Sequence, residues 1–354
     1  IYRYKMEYIA LGCMTGTSLD GIDCSLIKSD GISEVTEISN NFTSYSPQLK
    51  KELLKIIKCN FLADLDVFKL LNKEYQTAIN NFISLNNIEI DVIGIHGQTI
   101  FHDPSIKISI QLYDKKLEYN SHAPIICNFR KNDILNGGSG APIIPIYHQI
   151  IANKLNTDNS IFINIGGVTN ITLIENNKII AGDSSFGNAL INDFLNSKTN
   201  HEYDLNGNLS KSGKIIHSLS KKILDDKYFK KNFPKSLDRN YFHPYIEGIK
   251  EHFLIEDVIY TLLSIIPESV HRIIDNKKKY KIILMGGGRK NLTLLKLFQN
   301  IFEDVFLIDD FNLDGDFIES QGMGLLAIRY LNKMKSTYKF TTGISKDIYL
   351  GEKC

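Results

Sequence analysis

Short apolar runs that end in glycine or small polar residues recur along this chain and predict alternating strands and helices. Near the start, Tyr8–Cys13 and Ile22–Lys28 are apolar runs of strand length. The segment around the turn between them holds glycines, hydroxyl groups and two carboxylates. Apolar runs of this length bounded by turn residues are typical of buried strands. The pattern therefore predicts an N-terminal β-hairpin with a polar tip.

Two helices are predicted next, over Pro47–Cys59 and Asp66–Asn86. In the second of these, apolar residues recur at the spacing of a helix that buries one face: Phe68, Leu71, Tyr75, Ile79 and Phe82. Later strands are predicted over Asp91–Ile95, Lys107–Leu112, Ile125–Phe129, Ser160–Ile165, Val168–Glu175, Lys178–Ala181 and Lys279–Met285. Later helices are predicted over Ile146–Lys154, Asn291–Phe302 and Glu319–Leu331. This alternation indicates an α/β protein.

The hairpin design recurs near the middle of the chain. There the strands Ser160–Ile165 and Val168–Glu175 flank the turn Gly166-Gly167, and a third glycine turn, Gly286-Gly287-Gly288, follows a later strand. Glycine lets the backbone approach a ligand closely, and the N–H groups of such a turn can bind phosphate. Two hairpins of one design predict two similar lobes that close on one nucleotide.

Length and charge narrow the class of protein. A chain of 354 residues with 43% hydrophobic residues is long enough for two domains with ordinary cores. Its 41 basic and 40 acidic residues give a net charge of +1, so we expect no nucleic-acid partner. The densest lysine run, Lys277–Lys279, is typical of a solvated loop.

Cysteine usage and apolar runs bear on the compartment. The five cysteines are scattered and never spaced Cys-x-x-Cys, which favours a reducing compartment and no zinc site. No apolar run reaches the roughly 18–20 residues of a membrane span, and Ile1–Leu11 lacks the long apolar region of a signal peptide. We therefore expect a cytoplasmic protein without a membrane partner. The sequence also has no P-loop lysine motif, so paired hairpins must hold any nucleotide.

Motifs along nearly the whole chain resemble, in order, those of the 1,6-anhydro-N-acetylmuramic acid kinases. The matching segments are Met14–Asp23, His96–Thr99, Phe129-Arg130 with Asp133, Gly137–Pro142, Asn164–Asn170, Asp183 with Gly187-Asn188, Pro234–Ser236 with Arg239, and Gly286–Asn291. The resemblance implies the fold shared by hexokinase-type sugar kinases, actin and heat-shock chaperone ATPases, in which two α/β lobes hold ATP and Mg²⁺ in a cleft. It also implies a cytosolic role in recycling cell-wall sugar.

On this fold we expect one lobe to comprise residues 1–128 and 319–354 and the other to comprise residues 129–318. The predicted nucleotide-binding residues are those of the three glycine turns: Gly16, Thr17, Ser18, Leu19, Asp20, Gly21, Ile22, Asp23, Gly166, Gly167, Gly286, Gly287 and Gly288. Asp20 and Asp23 are expected to hold a hydrated Mg²⁺ against the phosphates, since Mg²⁺ prefers carboxylate and water ligands.

The reaction of the family sets the chemistry that the site must perform. In the substrate, the 6-oxygen is bound in an ether to carbon 1, so a base finds no hydroxyl group to deprotonate. Water must attack carbon 1, and the released 6-oxygen must take the γ-phosphoryl group of ATP. Inverting glycosidases normally use a carboxylate base and an acid, but here the electrophilic phosphorus can replace the acid. One carboxylate should therefore suffice, and the implied product is N-acetylmuramic acid 6-phosphate.

Asp183 is the predicted carboxylate, because it matches the catalytic aspartate of the family and follows a strand that can hold it rigidly. The family usually reads Asp-Thr-Gly-Pro-Gly-Asn, whereas this chain has Ser185 and Phe186 in place of the glycine and the proline. That departure puts the fit of the substrate in question. From the sequence alone, Asp183 can equally be the N-cap of a helix over Asn188–Leu195.

The predicted substrate-binding residues are His96, Gln98, Thr99, Arg130 and Glu319. Arg130 can pair with the lactyl carboxylate of the substrate, or instead hold Asp133 or an acid at the domain interface. His96 can bind the sugar or fasten a neighbouring loop, and Glu319 can reach the substrate or only favour the start of its helix. Lys235 and Arg239 form a basic loop that either contacts an anion or is solvated.

Two other functions remain open at the level of sequence. A kinase of the same fold can act on a free hydroxyl group of another amino sugar, with Asp183 as the base. A nucleotide switch like actin or a chaperone ATPase is the second alternative, although the chain has no evident extra domain for a partner. The expected partner is a small anhydro amino sugar, and a homodimer is one candidate assembly that the sequence does not decide.

Overall fold

The computed structural model describes residues 7–16, 18–59, 65–157, 159–249, 253–274 and 278–354. Its strands, numbered in chain order, are β1 Tyr8–Met14, β2 Gly21–Ser29, β3 Val35–Ser44, β4 Val92–Ile95, β5 Gln98–Asp103, β6 Ile108–Leu112, β7 Ile125–Cys127, β8 Asn159–Ile165, β9 Val168–Glu175, β10 Lys178–Phe186, β11 Lys281–Met285, β12 Val305–Leu307 and β13 Glu352–Lys353. Its helices are α1 Pro47–Cys59, α2 Leu65–Asn86, α3 Phe129–Leu135, α4 Pro145–Lys154, α5 Asn188–Lys198, α6 His217–Leu224, α7 His243–Glu247, α8 Ile255–His271, α9 Leu292–Gln299, α10 Ile318–Leu331 and α11 Lys339–Thr342. Within these ranges, every helix is too short or too polar to cross a membrane.

The chain forms two units whose sheets share the same arrangement of five strands, to which the first unit adds β13 at one edge. The sheet of the first unit runs in the order β13-β7-β4-β1-β2-β3, and the sheet of the second runs β10-β9-β8-β11-β12. In each sheet, three consecutive strands form an antiparallel meander, and two later strands extend the other side of the first strand in parallel. The predicted α/β class and the repeated hairpin design are confirmed.

The boundary between the units differs from the predicted one. The first unit comprises residues 1–156 and 317–354, and the second comprises residues 157–316, so residues 129–156 belong to the first unit. Hydrogen bonds to the C-terminal segment explain this assignment. Asp133 in α3 accepts hydrogen bonds from the hydroxyl groups of Thr337 at 2.8 Å and Thr342 at 2.6 Å. The Tyr147 hydroxyl group in α4 donates to Gln321 at 2.5 Å.

Glycines in β1 and β4 let helix α10 pack closely on the first sheet. A Cβ atom on Gly12 would lie 1.9 Å from the Ser320 carbonyl oxygen, and one on Gly94 would lie 2.4 Å from the Met323 carbonyl oxygen. Alternate residues of the same strands point to the opposite face, where they share a core with α1 and α2. Because α10 is pressed against the strands, Glu319 in its first turn has a fixed position beside them.

An extensive apolar cluster packs the sheet of the second unit against its helices. Buried residues of β8, β11 and β9 pack with helices α5, α8 and α9. Helix α8 is buried along most of its length, including Val258, Leu262 and Ile266. The strands that end in the two glycine turns are therefore anchored by extensive burial of apolar surface, which is the main stabilising term in a fold of this kind.

A disulfide joins Cys127 at the end of β7 to Cys354, with Cα atoms 6.3 Å apart. The two residues are 227 positions apart in sequence. The scattered cysteine pattern, which favoured a reducing compartment, contains no sign of this pair, because sequence spacing does not report which strands become neighbours. The buried Cys13 and Cys24 remain thiols, with sulfur atoms 3.6 Å apart.

Candidate active site

The tip of the first hairpin has an unusual backbone shape. Leu19 has a φ of 58°, in the left-handed region that β-carbons disfavour, at a typical cost of about 1–3 kcal/mol. Its side chain is 1% exposed, so burial in the core compensates for this conformation. At the base of the tip, a Cβ atom on Gly21 would lie 2.2 Å from the Thr43 carbonyl oxygen. The backbone of the tip is therefore held in a specific conformation by the buried Leu19 side chain and the close packing at Gly21.

The predicted nucleotide-binding residues of this tip differ in what they can offer to a ligand. The side chains of Leu19 and Ile22 are buried, so only their backbone groups are candidates for contact. Asp20 is exposed and forms an ion pair with Lys50 at 3.0 Å. Asp23 is half-buried within β2. Thr17 lies outside the described residues.

Gln98 ties the hairpin tip to the strand that follows β4. Its side-chain amide donates to the Gly16 carbonyl oxygen at 3.2 Å and accepts a hydrogen bond from the Tyr45 hydroxyl group at 3.0 Å. Gln98 is fully buried. This residue was predicted to bind substrate, and the structure gives its side-chain groups partners within the protein. The neighbouring Thr99 is half-buried and accepts a hydrogen bond from Gln111 at 3.3 Å.

His96 and Arg130 form a buried hydrogen-bonded pair in the first unit. Arg130 Nε donates to His96 Nε2 at 2.8 Å, and His96 Nδ1 lies 2.8 Å from the Gly97 carbonyl oxygen. Because a guanidinium group only donates, Nε2 must be the acceptor and Nδ1 must carry the proton. Burial and the charge of Arg130 lower the pKa of His96 to about 3. His96 is thus a neutral residue that orients Arg130.

The rest of the Arg130 guanidinium group is suited to an anion. Nη1 donates to the Gly140 carbonyl oxygen at 3.0 Å, whereas Nη2 has no hydrogen-bond partner among the described residues. Burial lowers the pKa of Arg130, and the negative charge of Glu319 counteracts this effect. The structure therefore brings two predicted substrate residues, His96 and Arg130, into direct contact, and the charge of Glu319 acts on Arg130.

Asp133 accepts its hydrogen bonds from groups other than Arg130, although its negative charge also raises the pKa of Arg130. Its carboxylate accepts hydrogen bonds from the Gly140 backbone N–H group at 2.7 Å and from two threonine hydroxyl groups of the C-terminal segment. Arg130 and Asp133 thus hold Gly140 from its two sides, one at the carbonyl oxygen and one at the N–H group.

His102 is a residue of this cluster that the sequence reasoning missed. A Cβ atom on Gly140 would lie 3.4 Å from its ring, and its Nδ1 lies 2.9 Å from the Ser109 hydroxyl oxygen. Burial and the charge of Arg130 lower the pKa of His102 to about 4. The His102-Asp103 dipeptide beside the His96–Thr99 motif was the only available signal, and it is a weak one.

Asp183 lies within a strand of the second unit rather than after it. Strand β10 continues to Phe186, and its pairing with β9 shifts register between Asp183 and Ser185. The N-cap of helix α5 is Gly187, so the interpretation of Asp183 as a helix cap is wrong. A register shift of this kind re-aims a side chain at a strand edge and is common beside active sites.

A loop after helix α6 holds Asp183 from three directions. The Asp183 N–H group donates to the Lys235 carbonyl oxygen at 2.7 Å, and the Leu237 N–H group donates to Asp183 Oδ2 at 2.8 Å. The Tyr228 hydroxyl group donates to the Asp183 carbonyl oxygen at 2.8 Å. Asp183 Oδ1 accepts no hydrogen bond within the described ranges. One carboxylate oxygen is fixed, and the other is left for a reactant.

The environment of Asp183 favours a base that works near neutral pH. Burial raises the pKa of its carboxyl group to about 6, although the hydrogen bond from Leu237 opposes this rise. A base is most effective when its pKa lies near the working pH.

The residues that depart from the family pattern point into the core. Ser185 is fully buried, and Phe186 is 1% exposed and packs edge-on against Phe242, with ring centroids 5.3 Å apart. Ser184 donates to the Thr169 carbonyl oxygen at 3.3 Å. Phe186 is therefore accommodated by aromatic packing.

The basic loop at Pro234 has partners within the second unit. Lys235 Nζ donates to the Tyr228 carbonyl oxygen at 2.9 Å and lies 4.3 Å from the centre of the Tyr228 ring. Burial and the charge of Lys231 lower the pKa of Lys235 to about 8. Arg239 forms an ion pair with Asp193 at 3.0 Å. Lys235 thus supports the tyrosine that holds Asp183.

The two glycine turns of the second unit combine open and closely packed positions. Apart from chain neighbours, no atom of the described residues lies closer than 3.4 Å to a Cβ atom built on Gly166, Gly167 or Gly287, and these glycines are exposed or half-buried, so a ligand can reach them. In contrast, a Cβ atom on Gly286 would lie 2.3 Å from Asn164 Oδ1, and one on Gly288 would lie 2.3 Å from Ile165. The close contacts at Gly286 and Gly288 fix the two turns against each other. The other three glycines leave space that a ligand can occupy.

Comparison with known proteins bears on this arrangement. Residues 7–354 match the family model described as anhydro-N-acetylmuramic acid kinase. The anhydro-N-acetylmuramic acid kinase of Pelagibacter ubique is 35% identical over 96% of this chain and 96% of its own length. The enzyme of the same name from Zymomonas mobilis is 33% identical over 95% of this chain and 96% of its own length. Among solved structures, 2-hydroxyglutaryl-CoA dehydratase component A of Acidaminococcus fermentans has a TM-score of 0.48 and 11% identity over 92% of this chain and 100% of that chain, a likeness too distant to indicate function. From its match to the family model and to both relatives over nearly its whole length, this chain belongs to the anhydro-N-acetylmuramic acid kinase family.

Proposed function

We propose that the protein is an ATP-dependent kinase that hydrolytically opens the 1,6-anhydro ring of anhydro-N-acetylmuramic acid and phosphorylates its 6-oxygen. The products are N-acetylmuramic acid 6-phosphate and ADP, as expected for an enzyme of cell-wall sugar recycling. One observation carries the proposal: Asp183 is a half-buried carboxylate with one oxygen fixed by Leu237 and the other without a protein partner among the described residues. That arrangement suits a base that orients a water molecule.

A single base is enough because the γ-phosphorus accepts the 6-oxygen that ring opening releases, so no acid has to protonate that oxygen. Asp183 accepts a proton from water as the water oxygen bonds to carbon 1. The bond between carbon 1 and the 6-oxygen breaks, and the electron pair of the 6-oxygen attacks the γ-phosphorus. The bond from that phosphorus to the β-γ bridging oxygen breaks and ADP leaves. Phosphoryl transfer needs mainly positioning and charge neutralisation, so no second protein acid is required.

Backbone at the open glycines is suited to ATP. Gly166, Gly167 and Gly287 have no side chain and have space where a Cβ atom would lie, so phosphate or nucleotide can come close to their backbone. In the first hairpin, Asp20 and Asp23 supply carboxylate oxygens, the donor type that Mg²⁺ prefers together with water. When bound, Mg²⁺ would neutralise phosphate charge. Asp20 would then give up its ion pair with Lys50 to bind the metal. That loss costs little stability, because an exposed ion pair contributes little free energy in water.

Arg130 is proposed to bind the lactyl carboxylate of the sugar through Nη2. Its orientation is set by His96 and Gly140 before any ligand arrives. Preorganised charged donors lose less entropy on binding and give a stronger contact than mobile ones. Because His96 is neutral, it adds no positive charge that would compete for the carboxylate.

The pH dependence of kcat/KM should report Asp183. The base must be ionised to accept a proton, and its pKa is raised to about 6. We therefore expect kcat/KM to fall as the pH is lowered through about 6, approaching a tenfold loss per pH unit below that value. Measurement of initial rates between pH 4.5 and pH 8.5 checks this. An acid limb near pH 4, the ordinary aspartate value, would contradict a base whose pKa is raised.

Product analysis on a panel of sugars tests the proposed reaction. Purified protein is incubated with ATP, Mg²⁺ and either the anhydro sugar or free N-acetylmuramic acid, N-acetylglucosamine or glucosamine. The proposal predicts a phosphosugar from the anhydro sugar and little from the free sugars. Faster phosphorylation of a free sugar would show a kinase that acts on a hydroxyl group. Equal ATP hydrolysis with and without any sugar would reject the kinase proposal.

A further inference from the structure

Arg289 is a buried cation beside the third glycine turn, and neither the sequence motifs nor the proposed reaction gives it a role. It is 4% exposed. Its Nε and Nη2 atoms donate to the two carboxylate oxygens of Asp309 at 2.7 and 2.9 Å, and Nη1 donates to Asp316 at 2.6 Å. A bidentate arginine–carboxylate pair fixes orientation as well as charge.

The same guanidinium group reaches the glycine turn. Nη1 also donates to the Gly286 carbonyl oxygen at 3.2 Å, and the backbone N–H group of Arg289 donates to that oxygen at the same distance. Gly286 has a φ of 71°, a conformation open to glycine and costly for other residues. Arg289 therefore connects the carbonyl group that shapes the turn to the carboxylates of Asp309 and Asp316, and Asp314 lies 3.8 Å from its Nη2.

The loop that supplies these carboxylates lies close against the guanidinium group. A Cβ atom on Gly315 would lie 2.4 Å from Arg289 Nε, so only glycine permits the approach. Burial opposes the charge of Arg289, but hydrogen bonds to Asp309 and Asp316 outweigh it and raise the pKa of Arg289 above its usual value. The guanidinium group therefore stays charged, and four side-chain hydrogen bonds fix its position.

We propose that Arg289 is a positioning residue for the nucleotide, which holds the Gly286–Gly288 turn in the shape that leaves Gly287 open to the ligand. The inference rests on the proposed function, since it takes this turn to be part of the ATP site. Arg289 touches the turn and not the ligand, so it acts through Gly286. Its loss would let the turn relax and would weaken nucleotide binding without altering the sugar site.

Lys290 offers a matched control for the charge. It follows Arg289 directly, is exposed, and donates to the other oxygen of Asp316 at 2.6 Å. Within the described residues, the hydrogen bonds to the Gly286 carbonyl oxygen come from Arg289, so Lys290→Met removes a positive charge and a bond to Asp316 while leaving those contacts in place.

The test compares Arg289→Met, Arg289→Lys and Lys290→Met with the unmodified protein. Binding of ADP carrying a fluorescent N-methylanthraniloyl group is titrated directly, and KM is measured for ATP and for the anhydro sugar. We expect Arg289→Met to weaken ADP binding and raise the KM for ATP at least tenfold, with the KM for the sugar changed less than twofold. Arg289→Lys should recover part of the loss, and Lys290→Met should change each value less than twofold.

Equal weakening of both substrates, or unchanged ADP binding in Arg289→Met, would overturn the positioning role. Should Arg289→Met fail to fold, Arg289→Lys, which keeps the positive charge but not the two-nitrogen pair with Asp309, must still weaken ADP binding and raise the KM for ATP more than the KM for the sugar. Failure of the unmodified protein to bind ADP would instead refute the proposed nucleotide site, and the inference with it. Nucleotide binding without sugar phosphorylation would refute the proposed reaction and leave the Arg289 inference standing.

Discussion

Replacing Asp183 with asparagine is expected to lower kcat for the anhydro sugar about a thousandfold, within the usual range for loss of a general base. The amide keeps the shape of the side chain and can still accept the Leu237 hydrogen bond through its oxygen. It cannot take a proton from water. Steady-state kinetics measures the loss, and calorimetric titration with ADP should give the same affinity as for the unmodified protein.

Thermal unfolding supplies the control for this variant. A carboxyl group whose pKa is raised holds its proton more tightly in the folded state, so its ionisation disfavours folding as the pH rises through about 6. Asp183→Asn should therefore be at least as stable as the unmodified protein at pH 7.5. A variant that retains more than a tenth of the activity, or that loses ADP binding together with activity, would show that Asp183 is not the base.

Replacing Arg130 with methionine is expected to lower kcat/KM for the anhydro sugar about a hundredfold, mostly through a higher KM. Loss of one partner from a desolvated charge pair typically costs about 2–5 kcal/mol. The variant also leaves His96 Nε2 without its donor. Initial rates at varied sugar concentration measure the effect, and the KM for ATP should change little.

Two controls distinguish loss of carboxylate binding in Arg130→Met from a general disturbance of the fold: a variant of the neighbouring lysine and an altered substrate. Lys131→Met removes a positive charge one residue away, where the ammonium group pairs with Glu352 at 3.0 Å, and should leave both KM values unchanged. An anhydro amino sugar without the lactyl group should be a poor substrate for the unmodified protein. Arg130→Met should react with both sugars at similar rates. Undiminished preference for the lactyl sugar in Arg130→Met would contradict the assigned contact.

The local pattern of apolar and turn residues was sufficient to predict the strands and hairpins that carry the candidate site. The β1–β2 and β8–β9 hairpins and the strand before the Gly286–Gly288 turn follow from apolar runs that end in glycine, because strand length and turn chemistry are local properties. Helix α2 buries Leu71, Tyr75, Ile79 and Phe82 as its spacing predicted. Asp183 and Arg130 were found through motifs, which report residue type and order.

Other features depend on tertiary contacts that the pattern does not contain. The three hydrogen bonds that hold Asp183 come from Tyr228, Lys235 and Leu237, about fifty residues later in the chain. The boundary at residue 156 depends on the hydrogen bonds between α3, α4 and the C-terminal segment. The elements that were not predicted are strands β3, β5, β12 and β13 and helices α3, α6–α8 and α11. The roles of the site residues, unlike the fold, remain predictions until they are measured.

Isotope labelling of the product tests the central claim most directly. The reaction is run with the anhydro sugar and ATP in water enriched in oxygen-18, and the phosphosugar is analysed by mass spectrometry before its anomeric hydroxyl group exchanges with solvent. If Asp183 directs water to carbon 1, the product carries one heavy oxygen at that carbon and none in the phosphate ester. An unlabelled sugar, or label found only in the phosphate, would contradict the proposed mechanism.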